Sequence, residues 1–124
     1  MVNNMHIIYA YMITYSHDNS KTHPWEKPLK LTSKEAADLA QLFSTLSDPS
    51  RVRIISLLAN KNMNVQELSE SLQMSHSAVS HQLRGLRQSR VVRADKNGRY
   101  AVYTLDDEHI AQLFQYGLDH IQHE

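Results

Sequence analysis

Apolar residues recur every three or four positions through the middle of the chain, which is the period of an amphipathic α-helix. The pattern predicts four successive helices, over about residues 33–46, 49–59, 65–72 and 76–88. The fourth helix is expected to bury a stripe formed by Val79, Leu83 and Leu86. The third and fourth helices, joined by a short turn at residues 73–75, predict a helix-turn-helix.

The period then changes to the alternation that is typical of β-strands. Two strands are predicted over about residues 91–95 and 100–105. Asn97-Gly98 lies between them and is a hairpin signal, so we expect both residues to have positive φ in the turn. A final amphipathic helix begins at Asp106-Asp107 and runs to about residue 122. The predicted fold is mainly α, of the α+β class: a winged helix-turn-helix with five helices and a two-stranded β-hairpin wing.

The length of 124 residues fits a single domain. Residues 32–124 are expected to form the winged domain, used for DNA binding and dimerisation, and residues 1–31 an N-terminal arm or linker. The chain has no cysteine, which excludes disulfides and thiolate metal sites. No apolar stretch reaches the roughly 20 residues that span a bilayer, and the apolar N-terminal run lacks the basic leader of a signal peptide. We therefore expect a cytoplasmic protein with no membrane partner.

The formal net charge is zero, but the charges are segregated along the chain. Residues 75–100 contain six Lys or Arg and one Asp, whereas residues 101–124 contain five Asp or Glu and neither Lys nor Arg. The basic block suits phosphate groups, and the acidic block, which also carries histidines, suits a cation.

The start of the fourth helix carries polar side chains of the kind that read base edges in the major groove of DNA. Basic residues follow on the same helix and on the wing, where they could hold phosphates. The candidate DNA contacts are His76, Ser77, Ser80, His81, Gln82, Arg84, Arg87, Arg93, Lys96 and Arg99. A solvated charged face is the alternative, and the basic hairpin directly after the helix favours double-stranded DNA.

The last helix carries four candidate metal ligands: Asp107, His109, His120 and His123. Oxygen and nitrogen donors without sulfur suit Zn²⁺, and also Co²⁺ or Ni²⁺. His109 and His120 are eleven residues apart, which is about 16 Å along a helix, so one helix cannot bring all four donors to one ion. Two antiparallel last helices of a homodimer can do so, with two equivalent sites. The alternative is that these histidines simply face solvent.

Four segments resemble the ArsR/SmtB family of metal-responsive repressors. They are Leu46-Ser47-Asp48-Pro49-Ser50-Arg51, Ser77-Ala78-Val79-Ser80-His81-Gln82-Leu83, Asn97-Gly98-Arg99, and Asp107-x-His109 with His120-x-x-His123. The last set is similar to the subgroup that senses zinc, and sometimes cobalt, through the C-terminal helices of a homodimer.

The resemblance implies a repressor that binds operator DNA as an apo-homodimer and leaves it when metal binds, which derepresses metal efflux or resistance genes. It also implies a coupling hydrogen bond, in which ligating His120 would donate its other ring N–H to the backbone carbonyl of Arg90. The family's cysteine-based site near the third helix is excluded, since the chain has no cysteine.

Other interpretations stay open. His6, His17 and His23 of the arm could extend a coordination shell toward nickel or cobalt, or could be incidental. The protein could also be a winged-helix regulator whose inducer is nickel, cobalt or not a metal. A metal-dependent hydrolase is disfavoured, because four protein ligands leave no open position for a catalytic water. We expect no enzymatic activity.

Overall fold

The structure is a computed structural model that describes residues 29–122. In chain order these residues form α1 (Ser33–Leu46), α2 (Pro49–Leu58), α3 (Val65–Leu72), α4 (His76–Gln88), β1 (Val92–Asn97), β2 (Tyr100–Leu105) and α5 (Glu108–Gln122). This element order, with its two-stranded antiparallel sheet, confirms the predicted winged helix-turn-helix. The predicted arm up to residue 28, with His6, His17 and His23, lies outside the described residues, as does His123.

Side chains at the helix starts fix where the helices begin. Thr32 and Glu35 form a capping box at α1, with Glu35 N donating to Thr32 Oγ1 at 3.1 Å. Asn64 and Glu67 repeat the arrangement at α3, at 2.8 Å. In each box the glutamate accepts the backbone N–H of the capping residue, and this hydrogen bond lowers the pKa of Glu35 and of Glu67. Ser75 caps α4 through its side-chain oxygen.

The hydrophobic core lies between α2, α3, α4 and the start of the hairpin. Its fully buried side chains are Ile54, Ile55, Leu68, Val79, Leu83, Leu86 and Val91. The predicted inward stripe of α4 is therefore confirmed. Burying each such side chain stabilises the fold by about 1.5–3 kcal/mol relative to leaving it in water.

The outer helices α1 and α5 bury little of their apolar surface. Ile110 is the buried residue of α5, and Thr45 is that of α1. Phe43 on α1 is 50% exposed, and Ile121 on α5 is 74% exposed. The apolar side of α5 is thus divided: Ile110 and Phe114 lie in or against the core, whereas Leu118 and Ile121 are exposed in one protomer.

The hairpin turn differs from the sequence-based expectation. Asn97 pairs with Tyr100, so the turn is centred on Gly98-Arg99, one residue later than expected. Of the hairpin residues, all of which the structure describes, Gly98 alone has positive φ, at +65°. A turn with glycine at its first central position is typical of type II′. The prediction of positive φ at both Asn97 and Gly98 was wrong, because β1 continues through Asn97 instead of ending near residue 95.

A short bridge ties the wing to the loop before α3. Met63 N donates to the carbonyl of Tyr103 at 3.1 Å, and Tyr103 N donates to the carbonyl of Met63 at 2.8 Å. The two bonds hold the middle of β2 against the helical part of the domain. The sequence pattern did not indicate this contact.

A tight C-terminal cap ends α4. Arg90 adopts φ +57°, the left-handed conformation that usually favours glycine. Its N–H donates to the Arg87 carbonyl at 3.0 Å, and Val91 N donates to the Leu86 carbonyl at 2.9 Å. This is the Schellman arrangement, and the burial of both Val91 and Leu86 adds the apolar contact that accompanies it.

Candidate nucleic-acid interface and metal ligands

One exposed face of α4 gathers most of the predicted DNA contacts. Because Val79, Leu83 and Leu86 turn inward, the opposite side of the helix faces solvent. Its exposed side chains are His76, Ser77, Ser80, His81, Arg84 and Arg87. No acidic residue interrupts α4. The face combines short polar groups near the N-terminus with two guanidinium groups further along.

Gln82 lies on the other side of α4. Its side chain is half-buried, and Oε1 accepts a hydrogen bond from Arg51 Nε at 2.8 Å. The structure therefore gives Gln82 a role within the fold, and the DNA contact expected from the sequence stays a prediction.

Arg51 joins three helices in a polar seam that sequence reasoning missed. Besides Gln82, its guanidinium donates to the Thr45 carbonyl at the end of α1, at 3.1 Å. It also lies against Gly85 of α4, where a Cβ would come within 2.6 Å of Nη2. The Thr45 hydroxyl lies 2.8 Å from that of Ser89 at the end of α4. The signal available in the sequence was the glycine inside the pattern of α4, Gly85, which indicates a close approach of another group but not which one.

The wing places its basic side chains in solvent. Arg93, Lys96 and Arg99 are all exposed. Arg93 Nε lies 3.5 Å from Asp95 Oδ2, and Arg93 Nη1 donates to the Asp106 carbonyl at 3.4 Å. Lys96 and Arg99 make no ion pair within residues 29–122. The tip of the hairpin thus carries positive charge that is open to a polyanion.

Asp107 and His109 form a pair at the start of α5. Asp107 immediately precedes the helix, and its Oδ1 accepts the backbone N–H of His109 at 2.8 Å. The same oxygen lies 3.2 Å from His109 Nδ1. The position of Asp107 before the first helical turn explains how residues two apart can meet. Asp107 is about half exposed and His109 almost fully exposed.

His120 is exposed near the far end of α5. Within residues 29–122 of one protomer, no group of three or more possible metal ligands comes together. This agrees with the helix length that separates the two ends. Among the side-chain hydrogen bonds of residues 29–122, none joins His120 to the Arg90 carbonyl. Because that bond was expected for metal-ligated His120, it stays a prediction.

An apolar groove of about 600 Å³ runs between α1, α2 and α5. Its lining includes Phe43, Leu46, Val52, Phe114, Leu118 and Ile121.

No helix within residues 29–122 combines the length and hydropathy needed to cross a bilayer.

Comparison with known proteins shows to which family the chain belongs. A family model described as "Bacterial regulatory protein, arsR family" matches residues 48–94. The chain is 41% identical to the transcriptional repressor SmtB homolog of Synechocystis over 96 residues, which cover 77% of this chain and 73% of that protein. The chain belongs to the ArsR family. Its similarity to other ArsR-family proteins extends beyond the matched segment to most of the chain.

Two further ArsR-family relatives are similar over most of their length. The HTH-type transcriptional regulator NmtR of Mycobacterium tuberculosis is 43% identical, over 75% of this chain and 78% of that protein. A cadmium resistance transcriptional regulatory protein CadC homolog of Staphylococcus aureus is 32% identical, over 83% and 84%.

Solved structures agree with this ArsR-family fold. The solution structure of apo-NmtR superposes with a TM-score of 0.67 and 39% identity, covering 84% of this chain and 88% of that chain. A homodimeric winged helix-turn-helix domain from Mycobacterium bovis gives a TM-score of 0.65 at 24% identity, covering 72% and 85%, which bears on the fold alone.

Proposed function

We propose that the protein is a metal-responsive transcriptional repressor that binds operator DNA as an apo-homodimer and releases it when Zn²⁺ binds. Each metal site would combine Asp107 and His109 of one protomer with His120 and His123 of its partner. Co²⁺ or Ni²⁺ would fit the same donors. The repressed genes would encode metal efflux or resistance proteins, and the protein would act on DNA in the bacterial cytoplasm without an enzymatic step.

The placement of donors at opposite ends of α5 carries this proposal. The Asp107–His109 pair is preassembled at one end, with 3.2 Å between carboxylate and imidazole, and His120 is exposed near the other end. The separation of about 16 Å requires a second chain to complete a site. A divalent ion bound by donors from both protomers would cross-link them.

The uncovered apolar surface supports the dimer. The groove between α1, α2 and α5 contains Phe43, Leu118 and Ile121, which are 50%, 43% and 74% exposed in one protomer. Exposed apolar surface of this kind marks an interface. Packing against a second α5 would cover it and would align the two helices that hold the ligands. The metal sites and the dimer contact would then be one piece of structure.

The DNA end of the proposal rests on α4 and the wing. The exposed polar turn at His76, Ser77, Ser80 and His81 has the size and chemistry for base contacts in a major groove. Arg84 and Arg87, together with Arg93, Lys96 and Arg99 on the wing, would hold phosphates. The relatives named as transcriptional regulators favour the same role for this chain. The CadC homolog, whose name includes cadmium resistance, favours a metal as effector.

The decisive experiment measures operator affinity of the full chain with and without Zn²⁺ at fixed salt. We expect zinc to weaken binding by at least tenfold, and His120→Ala to remove this effect while apo-protein still binds DNA. Gln122→Ala, an exposed change at the end of the same helix, is the matched control and should respond like wild type. Equal affinities of wild type with and without zinc would refute zinc as inducer.

Parallel titrations with Co²⁺ and Ni²⁺ would then test the alternative metals, and no response to any of them would indicate a non-metal inducer.

A further inference from the structure

A second groove, of about 500 Å³, lies between the recognition helix α4 and strand β2. Its lining consists of Ser80, Arg84, Arg87, Gln88 and Tyr103. The side chains at positions 80, 84 and 87 share one face of α4, because their spacing of four and three residues follows the helical period. Tyr103 approaches them from the wing. The sequence pattern indicates Tyr103 only as a strand residue and gives Gln88 no role.

The chemistry of this groove fits a single anion with several oxygen atoms. Every lining side chain can donate a hydrogen bond, and none of them is a carboxylate. Arg84 and Arg87 form no ion pair within the described part of the chain, whereas Arg93 on the wing faces Asp95 at 3.5 Å. The two guanidinium groups therefore keep their positive charge available. Arginine is suited to phosphate because its planar donors match two oxygens at once.

The groove is built on fixed elements. Tyr103 is half-buried against the core, and its main chain is held on both sides, by Ala94 in the hairpin and by Met63 at 3.1 and 2.8 Å. Arg84 and Arg87 project from a helix whose inner face is fully buried. Because the backbones that carry these donors are held in place, the freedom lost on binding an anion is confined to the side chains. An anion bound by donors from both elements would also fix the angle between α4 and the wing.

We infer that this groove holds one phosphate of the DNA backbone in each half-site, with Arg84 and Arg87 supplying charge and the Tyr103 hydroxyl supplying a hydrogen bond. The inference rests on the proposed DNA-binding function and adds Tyr103 and Gln88 to the contact surface. The groove begins at Ser80, just past the helix start that would enter the major groove, and extends toward the C-terminus of α4. In the proposed complex, the DNA backbone beside the major groove would pass this protein groove. This favours a DNA phosphate over free inorganic phosphate as the occupant.

The test uses a mixed-sequence duplex of about 30 base pairs, long enough for two half-sites one helical turn apart. Backbone contacts do not depend on sequence, so no operator is needed. Affinity is measured between about 50 and 200 mM salt for wild type, Tyr103→Phe and Arg87→Gln. The matched controls are Tyr116→Phe, which removes a phenol hydroxyl, and Lys34→Gln, which removes one positive charge, both at exposed positions outside the groove.

Tyr103→Phe should weaken binding about tenfold for each half-site that the dimer contacts, without changing the slope of log affinity against log salt, since it removes a donor to a charged group and no charge. Arg87→Gln should lower the magnitude of the slope by about 0.9 for each phosphate that the protein no longer neutralises. Both controls should stay within twofold of wild type in affinity at the lowest salt. Thermal unfolding of each variant, compared with wild type, shows whether a weaker affinity reflects the fold.

Two outcomes overturn the inference while leaving the proposed repressor in place. In one, Tyr103→Phe binds the duplex as tightly as wild type. In the other, inorganic phosphate shifts the amide resonances of α4 and β2, but neither groove variant alters DNA binding, which assigns the groove to a free anion. A wild-type protein that binds no duplex at low salt would overturn the inference together with the proposed function.

Discussion

Replacing Gly85 by alanine would force the polar seam around Arg51 to rearrange. The new Cβ would lie 2.6 Å from Arg51 Nη2 and 3.1 Å from Cζ, whereas ordinary contacts lie at about 3.5–4.0 Å. The guanidinium would have to withdraw, which stretches its bonds to Gln82 (2.8 Å) and to the Thr45 carbonyl (3.1 Å). Losing one such charge-assisted bond costs about 1.5–3 kcal/mol. Alanine returns about 1 kcal/mol through its higher helix propensity.

We therefore expect Gly85→Ala to lower the free energy of unfolding by about 1 kcal/mol. In an Arg51→Ala background the obstacle is gone, and the same change should raise the free energy of unfolding by about 1 kcal/mol. Urea denaturation of the four proteins at one fixed protein concentration, followed by circular dichroism, measures both steps of this cycle. An equal effect of Gly85→Ala in the two backgrounds would show that Arg51 does not occupy the space above Gly85.

Three further predictions concern the caps, the hairpin and the core. The pKa of Glu67 is lowered in the folded chain by the backbone N–H of Asn64, so folding releases protons and stability falls as the pH drops below about 5. Glu67→Gln should flatten that acid-side slope in pH-dependent unfolding, and an unchanged slope would contradict the effect of the cap on Glu67. Gly98→Ala should destabilise the domain by about 1–2 kcal/mol in urea unfolding, because Gly98 has φ +65°; an unchanged midpoint would argue against the observed turn. Leu83→Ala should cost about 2–5 kcal/mol, since Leu83 is fully buried, and a cost below about 1 kcal/mol would contradict this packing.

Local signals in the sequence were sufficient for most of the fold. The apolar period predicted the helix boundaries to within about two residues, and capping residues such as Thr32 and Ser75 lie at the helix starts. The hairpin was predicted with its turn one residue early, since Asn97-Gly98 and Gly98-Arg99 are both compatible with tight turns and the strand register decides between them. The charge pattern also predicted the exposed face of α4.

Contacts between distant parts of the chain were beyond sequence reasoning. Gln82 lies within a polar segment that resembles a DNA-reading helix start, and only the packing of α2 against α4 shows that it faces Arg51. The approach of Tyr103 to Arg84 and Arg87 likewise depends on how the wing folds back toward α4. For the ligands, the structure places the Asp107 carboxylate 3.2 Å from the His109 imidazole, and their role in binding metal stays a prediction. Completion of a site by a second chain stays a prediction.

The two ends of α5 give the proposed sites an unusual genetic consequence. A chain lacking His109 and a chain lacking His120 would each form homodimers with no complete site. In a heterodimer of the two, one site combines both defects, and the other takes Asp107 and His109 from one chain and His120 and His123 from the other. That second site is intact. Two alleles that are each unresponsive alone would thus complement one another when expressed together, whereas two defects at the same end of α5 would not.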